Sequence, residues 1–246
     1  MTNEDLVIGR NAVTETLKAG RSVNKILVAK GSNDGSIKKI LALANDLKIV
    51  VEFVERSKLD KICGGERHQG IVAQVAAIQY SSVEEILSLA ASKNEPPFIV
   101  LLDELEDPHN FGAILRTADA VGVHGVIIPK RRSVSLNSTV AKTSAGAIEY
   151  VKVAQVTNVA QTLKNLREEN LKIVGGDMDG ENLFTANLSG GIVLVIGNEG
   201  KGIRRLTREN CDLLLKIPMA GKINSLNASV AGAVFMYEIF KCRNNF

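Results

Sequence analysis

A chain of 246 residues, 45% hydrophobic and 23% charged, has the composition of a soluble globular protein with ample material for a core, and its 4% aromatic content without Trp makes that core aliphatic. Cys63, Cys211 and Cys242 are far apart and in no CxxC pair, so neither a disulfide framework nor a zinc site is indicated, while no apolar run reaches the length of a membrane span and the opening MTNEDLVIGR is acidic where a secretory signal would be basic, so a cytoplasmic protein is expected. The formal charge of +3 lies wholly in the first third, where residues 1–80 carry 12 Lys and Arg against 9 Asp and Glu, a weak pointer to an N-terminal surface that meets a polyanion.

Residues 9–77 alternate helical and strand patterns. Asn11 to Lys18 and Ser36 to Leu47 have helical periodicity, and Lys25 to Ala29, Ile49 to Val54 and Ile71 to Val75 have strand patterns, together a small α/β unit. Its polar loop GGERHQG contains His68, which reads as surface decoration. Ser81 to Asn94 repeats apolar residues at helical spacing, and Glu95-Pro96-Pro97 stops it; the domain boundary is placed across 79–97.

From Phe98 to Leu102 the chain is continuously apolar, as in a parallel strand covered on both faces. A helix over Ala113 to Ala120 and a strand over Gly125 to Ile128 complete a βαβ unit. A helical segment is expected over Ser133 to Ala147, then a strand over Glu149 to Val153, a helix over Val156 to Glu169, and strands over Lys172 to Gly175, Ile192 to Ile196 and Leu213 to Ile217. Pro218 ends the last strand, Gly221 turns the chain, and from Leu226 an apolar helix begins, with Ser225, Asn227 and Ser229 as candidate caps. About six mostly parallel strands separated by helices make a doubly wound α/β sheet, in which ligands bind at the carboxyl ends of the strands.

GxGxxG, GxxxxGK[ST] and GxSxG motifs are absent, as are a metal cluster and a His paired with Ser or Cys, so dinucleotide, ATP, hydrolase and zinc chemistry are disfavoured. What remains is a polar set on three loop–helix junctions: Asn110, Arg116, Glu199, Ser225 and Asn227. The stretches NFGAILRTADAVGVHGVIIP, LVIGNEGKGIRRL and IPMAGKINSLNASVAGAVFMYEI resemble, in order and at full length, the three motifs of the SpoU (TrmH) family of RNA ribose 2′-O-methyltransferases in the SPOUT superfamily, and KTSAGAIE is similar to a fourth stretch. Residues 7–77, with GRNAVTETL and RHQGIVAQV, look like the ribosomal-protein-like substrate-binding domain of its bacterial 23S ribosomal RNA guanosine branch.

The resemblance implies a substrate-binding domain over 1–78, a linker over 79–97 and a SPOUT methyltransferase domain with a trefoil knot over 98–246. It also implies S-adenosylmethionine as cofactor, RNA as partner, no metal, and a homodimer through the C-terminal domain. By motif, Asn110, Arg116, Glu199 and Asn227 match active-site positions, and Gly176, Ile196, Gly197, Ile217, Ser225 and Leu226 match the cofactor pocket. A guanidinium is effectively always protonated, so Arg116 is expected to grip a phosphate or a developing 2′-oxyanion, with Asn227 and Glu199 orienting the ribose. Arg10, Lys25, Lys30, Lys38 and Arg67 are candidate phosphate contacts. A transfer-RNA or antibiotic-resistance ribosomal RNA 2′-O-methyltransferase, or a non-catalytic RNA-binding assembly protein, are the alternatives.

Overall fold

The computed structural model describes residues 4–32, 34–76, 79–222 and 225–244. In chain order the elements are β1 (Glu4–Ile8), α1 (Arg10–Lys18), β2 (Val23–Ala29), α2 (Gly35–Asp46), β3 (Val51–Val54), α3 (Arg56–Ile62), β4 (Ile71–Ala76), α4 (Val83–Ser92), β5 (Phe98–Asp103), α5 (Pro108–Ala120) and β6 (Gly125–Pro129). There follow α6 (Ser138–Thr143), a 3-10 turn at Ala147–Glu149, β7 (Lys152–Val156), α7 (Val159–Glu168), β8 (Lys172–Asn182), β9 (Ile192–Gly197), α8 (Arg205–Arg208), β10 (Leu213–Lys216) and α9 (Ala228–Asn244). They form two compact units, one of residues 1–79 with 136–150, the other of residues 80–135 with 151–246.

The first unit is a four-stranded sheet in the order β1-β4-β2-β3, with β1 and β2 antiparallel to β4 and β2 parallel to β3. Two of its elements, β1 and α3, are additional to those the periodicity indicates. One face carries Val13 and Leu17 of α1 with Ile37, Ile40 and Ala44 of α2; the other carries Leu59 of α3 with Cys63. His68 is buried, with Nε2 2.9 Å from Asp60 and Nδ1 accepting from Gly70 N at 3.0 Å, so it fixes the loop from inside and is not surface decoration. Segment 136–150 is tied to this unit by a buried pair, in which Arg21 and the Thr16 hydroxyl both reach Glu149 at 3.0 Å.

The second unit is a six-stranded sheet in the order β10-β8-β9-β5-β6-β7, with every pairing parallel. Its middle strands, β5 and β9, are buried at every residue, which is why they read as continuous apolar runs. Ile99, Leu101, Val193 and Val195 pack with Leu163 and Leu166 of α7 on one face. On the other, α9 lies against α5 and β9, and a Cβ at Gly232 would come within 2.7 Å of Ile196, so glycine permits the close approach.

The boundaries shift where capping decides them. Helix α5 begins at Pro108, five residues before the expected start, because Asp107 accepts from His109 N and proline suits the first helical turn. The helix expected over 133–147 shortens to 138–143, capped by Asn137 and ended by Ala145 and Gly146 at positive φ. The following strand starts at Lys152, since Ala147–Glu149 is taken up by the 3-10 turn. Strand β8 runs on to Asn182: Leu214 pairs with Gly175 and Leu215 with Glu181, so residues 176–180 swing out between two stretches paired to β10.

Candidate active site

Strands β5 and β9 end in register, Asp103 opposite Gly197, so the loops that follow leave the sheet side by side at its carboxyl edge. The loop after β9 folds on itself through Asn198, whose Oδ1 accepts from Gly200 N at 3.0 Å and Lys201 N at 3.3 Å, and whose Nδ2 donates to the Glu104 carbonyl at 2.9 Å. Its backbone also exchanges hydrogen bonds with Gly202. A Cβ on Gly197 would overlap the backbone of Gly202 and Ile203, so only glycine permits this closure. The closure leaves Glu199 exposed at the tip.

Asn227 stands immediately before α9. Its Oδ1 accepts from Ser229 N at 3.0 Å, Ser229 Oγ at 2.6 Å and Val230 N at 3.3 Å, satisfying donors of the first helical turn. With the carbonyl oxygen committed to the cap, Nδ2 must face the other way, and it donates to Asn110 Oδ1 at 3.0 Å. That in turn aims Asn110 Nδ2 at Glu199, to whose Oε1 it donates. Asn110 is itself 8% exposed in the first turn of α5. A helix cap thus sets the direction of a hydrogen-bond chain through three segments, ending on a carboxylate with its second oxygen unengaged among the described residues.

Arg116 does not join this chain. It sits on α5 six residues beyond Asn110, exposed, and makes no hydrogen bond or ion pair among the described residues. Of the positions matched to a cofactor pocket, Ile196 is buried beneath Gly232, Gly197 forms the closure, and Gly176 begins the excursion of β8, with Phe235 3.1 Å from where a Cβ would be. Ile217 is half-buried, Ser225 is exposed and Leu226 is 36% exposed. Asp177 holds the excursion to Arg208 at 2.8 Å; burial would raise its carboxyl, but the guanidinium keeps it below the usual range.

The candidate RNA contacts divide in two. Arg10, Lys25 and Lys30 pair with Asp34, Glu52 and Glu55 at 2.7, 3.1 and 2.7 Å, and Arg10 also ties α1 to Gln69 and Ser36. Lys38 and Arg67 are exposed and without a partner among the described residues.

Sequence reasoning missed the pair that braces the site from below. Asp103 is fully buried and accepts from Arg204 N at 2.9 Å and Nε at 2.8 Å, while Nη1 of Arg204 reaches Glu104 at 3.0 Å. The hydrogen bonds to Asp103 raise the pKa of Arg204 further above its ordinary value. A carboxylate at the end of a wholly apolar strand is the signal that could have found it, since a buried charge needs a partner, but the partner stands 101 residues away.

Residues 97–237 match the SpoU rRNA Methylase family model, and residues 6–81 match that for RNA 2′-O ribose methyltransferase substrate binding. The chain is 51% identical over 242 residues to YacO of Bacillus subtilis, a protein assigned to the TrmH family of tRNA/rRNA methyltransferases, covering 98% of this chain and 96% of that one. A protein with the same assignment from Staphylococcus saprophyticus is 45% identical over 98% of this chain and 97% of its own. Among solved structures, the fold is similar to that of the SpoU methyltransferase AviRb from Streptomyces viridochromogenes in complex with AdoMet, with TM-score 0.80 and 24% identity over 97% of this chain and 89% of that one. The TrmH/SpoU tRNA modifying enzyme of A. aeolicus aligns with TM-score 0.57 and 29% identity over 66% of this chain and 84% of its own.

Proposed function

The chain belongs to the SpoU rRNA methylase family, and from that premise we propose that it transfers a methyl group from S-adenosylmethionine to the ribose 2′-hydroxyl of a guanosine in 23S ribosomal RNA. The observation that carries this reading is the directed chain Asn227–Asn110–Glu199 at the carboxyl edge of the sheet, which ends on an exposed carboxylate oxygen able to accept from a hydroxyl.

The residues at the matched cofactor positions suit such a molecule. Leu226 leaves apolar surface uncovered at 36% exposure and Ile217 is half-buried, as the face of an adenine would require; Met219, two residues past Ile217 and not itself a matched position, is 41% exposed. Gly176 and Gly197 make room for Phe235 and for the backbone of Gly202 and Ile203, which shapes the loops on either side. When bound, S-adenosylmethionine supplies an electrophilic methyl group on a sulfonium.

The chain's own residues then have three tasks. Glu199 accepts a hydrogen bond from the ribose 2′-hydroxyl through its unengaged oxygen, raising the electron density on the 2′-oxygen, and takes the proton that this oxygen gives up on methylation. Asn227, rigid because its carbonyl caps α9, keeps Asn110 and hence Glu199 from turning away, so that attack is in line. Arg116 is permanently charged and free of partners among the described residues, so it grips a substrate phosphate or the developing oxyanion and does not take the proton. In the first unit, exposed Lys38 and Arg67 are the phosphate contacts we favour over the paired Arg10, Lys25 and Lys30.

A homodimer through α9 belongs to the same proposal. Val230 and Tyr237 on that helix and Phe184 beside it are 49%, 54% and 51% exposed, an apolar surface suited to a second copy. The trefoil knot of the superfamily is proposed for the segment from β8 to α9. The test is methyl transfer from labelled S-adenosylmethionine to unmodified ribosomal RNA and, separately, to transfer RNA, followed by nucleoside analysis. Label in 2′-O-methylguanosine of 23S RNA is expected; label in transfer RNA alone would reassign the substrate, and label in neither would favour a binding protein without catalysis.

A further inference from the structure

On the same carboxyl edge, past β5 and away from β9, the ends of β5, β6 and β7 open into a cavity of about 690 Å³ that the methyl-transfer chemistry does not use. Its walls come from Glu104 after β5, Arg131 and Arg132 after β6, Thr157 after β7, the start of α7 and the start of α8 with Arg204 and Arg205. Arg204 is committed to Asp103 and Glu104, but the other three guanidiniums are not neutralised in the same way. Arg131 has no partner among the described residues. Arg132 is 77% exposed and only 3.8 Å from a Glu104 already engaged by Arg204, and Arg205 is 79% exposed in a solvated pair with Glu209.

A second feature points the same way. Val159 and Ala160 line the cavity as the first residues of the ten-residue helix α7, and no hydrogen bond from their N–H groups exists among the described residues, because Asn158 caps Gln161 N. Free N–H groups and incompletely neutralised guanidiniums in one concavity recognise an anion. Among the described residues no aromatic side chain lines it to stack a base, and the space far exceeds that of one phosphate group. We propose that this cleft is a phosphodiester subsite that holds the RNA backbone flanking the methylated ribose, with Arg131, Arg132 and Arg205 as its contacts. It rests on the RNA substrate of the preceding section and adds where on the catalytic unit the strand runs.

The test combines methyl-transfer kinetics with equilibrium binding of a 23S ribosomal RNA transcript across a salt series, using Arg131→Ala/Arg132→Ala/Arg205→Ala and the corresponding triple Lys variant. Each backbone contact to single-stranded RNA contributes roughly 0.7 to the slope of log affinity against log salt, so the Ala variant, which removes three, should flatten the slope by about 2 and raise KM for RNA roughly tenfold near physiological salt. Affinity for S-adenosylmethionine and kcat should not change, and the Lys variant should restore most of the slope. An unchanged slope and KM in the Ala variant overturns the subsite. If the parent chain binds the transcript without methylating it, an arginine-dependent slope sustains the subsite while the enzymatic reading falls; if it binds no RNA, both fall.

Discussion

Replacing Asn227 by Asp separates the two jobs of this side chain. Asp caps a helix as well as Asn, so the hydrogen bonds to Ser229 N and Val230 N survive, and the negative charge suits a helix N-terminus. The donor is lost, however, and a carboxylate oxygen then faces Asn110 Oδ1 across a contact that was 3.0 Å. If Asn110 turns its amide to donate to the new carboxylate, its carbonyl confronts Glu199 instead, so one acceptor–acceptor contact persists either way. Asn227→Ala removes both jobs, costing about 1 kcal/mol for the cap and about 1 kcal/mol for the hydrogen bond, which lowers Tm by roughly 4–8 °C for a chain of this size. Asn227→Asp should lose no more than half of that stability, yet methyl transfer should fall roughly 100-fold, because misdirected donors at a reacting centre are worth that much. Thermal melts and single-turnover transfer to unmodified ribosomal RNA give the two readouts. Wild-type transfer by Asn227→Asp would refute the directed chain and leave Asn227 as a cap alone.

Two further outcomes follow from buried groups. Arg204→Ala strands a fully buried Asp103 and should cost about 3 kcal/mol by urea denaturation, whereas Arg205→Ala, which breaks only the solvated pair with Glu209, should cost less than about 0.5 kcal/mol. Equal losses would contradict the bracing role of the Asp103 pair. His124 is buried and accepts from Phe98 N through Nδ1 at 2.9 Å, and burial holds its pKa below the ordinary value of about 6.5. The folded state then binds fewer protons than the unfolded state once the pH drops under that value, so stability present above about pH 6.5 is lost on further acidification. His124→Asn, which keeps an acceptor for Phe98 N, should show a smaller fall in urea midpoint between pH 7.5 and 5.5 than the parent; an equal fall would assign the acid sensitivity to other groups.

Much of the second unit was legible because parallel strands covered on both faces are continuously apolar, as in Phe98–Leu102 and Ile192–Ile196. Elements without that signature escaped. β1 holds Glu4 and Asp5 ahead of its three apolar residues, α3 has only Leu59 and Ile62 to show a period, and the far half of β8 is polar because it runs at the sheet's margin beside β10. The site's residue types could be picked out by motif, but their connection could not. That Asn227 points its amide at Asn110 follows from a cap whose partners lie two and three residues on, whereas Asn110 lies 117 residues back. Arg116 shows the reverse: the motif groups it with the others, while along α5 it stands apart from their hydrogen bonds.

The first unit is assembled from two separated stretches of chain, 1–79 and 136–150. Arg21 and Glu149, whose side chains are 10% and 7% exposed, are inherited on opposite sides of the 56 residues that separate those stretches. A recombination breakpoint anywhere between 80 and 135 would therefore part them, and a lineage acquiring a new N-terminal module would leave Glu149 buried without its cation. Such a module is exchanged without loss only together with its short distant segment, so the instability of parted products, and not recombination itself, would keep the two stretches travelling as a pair.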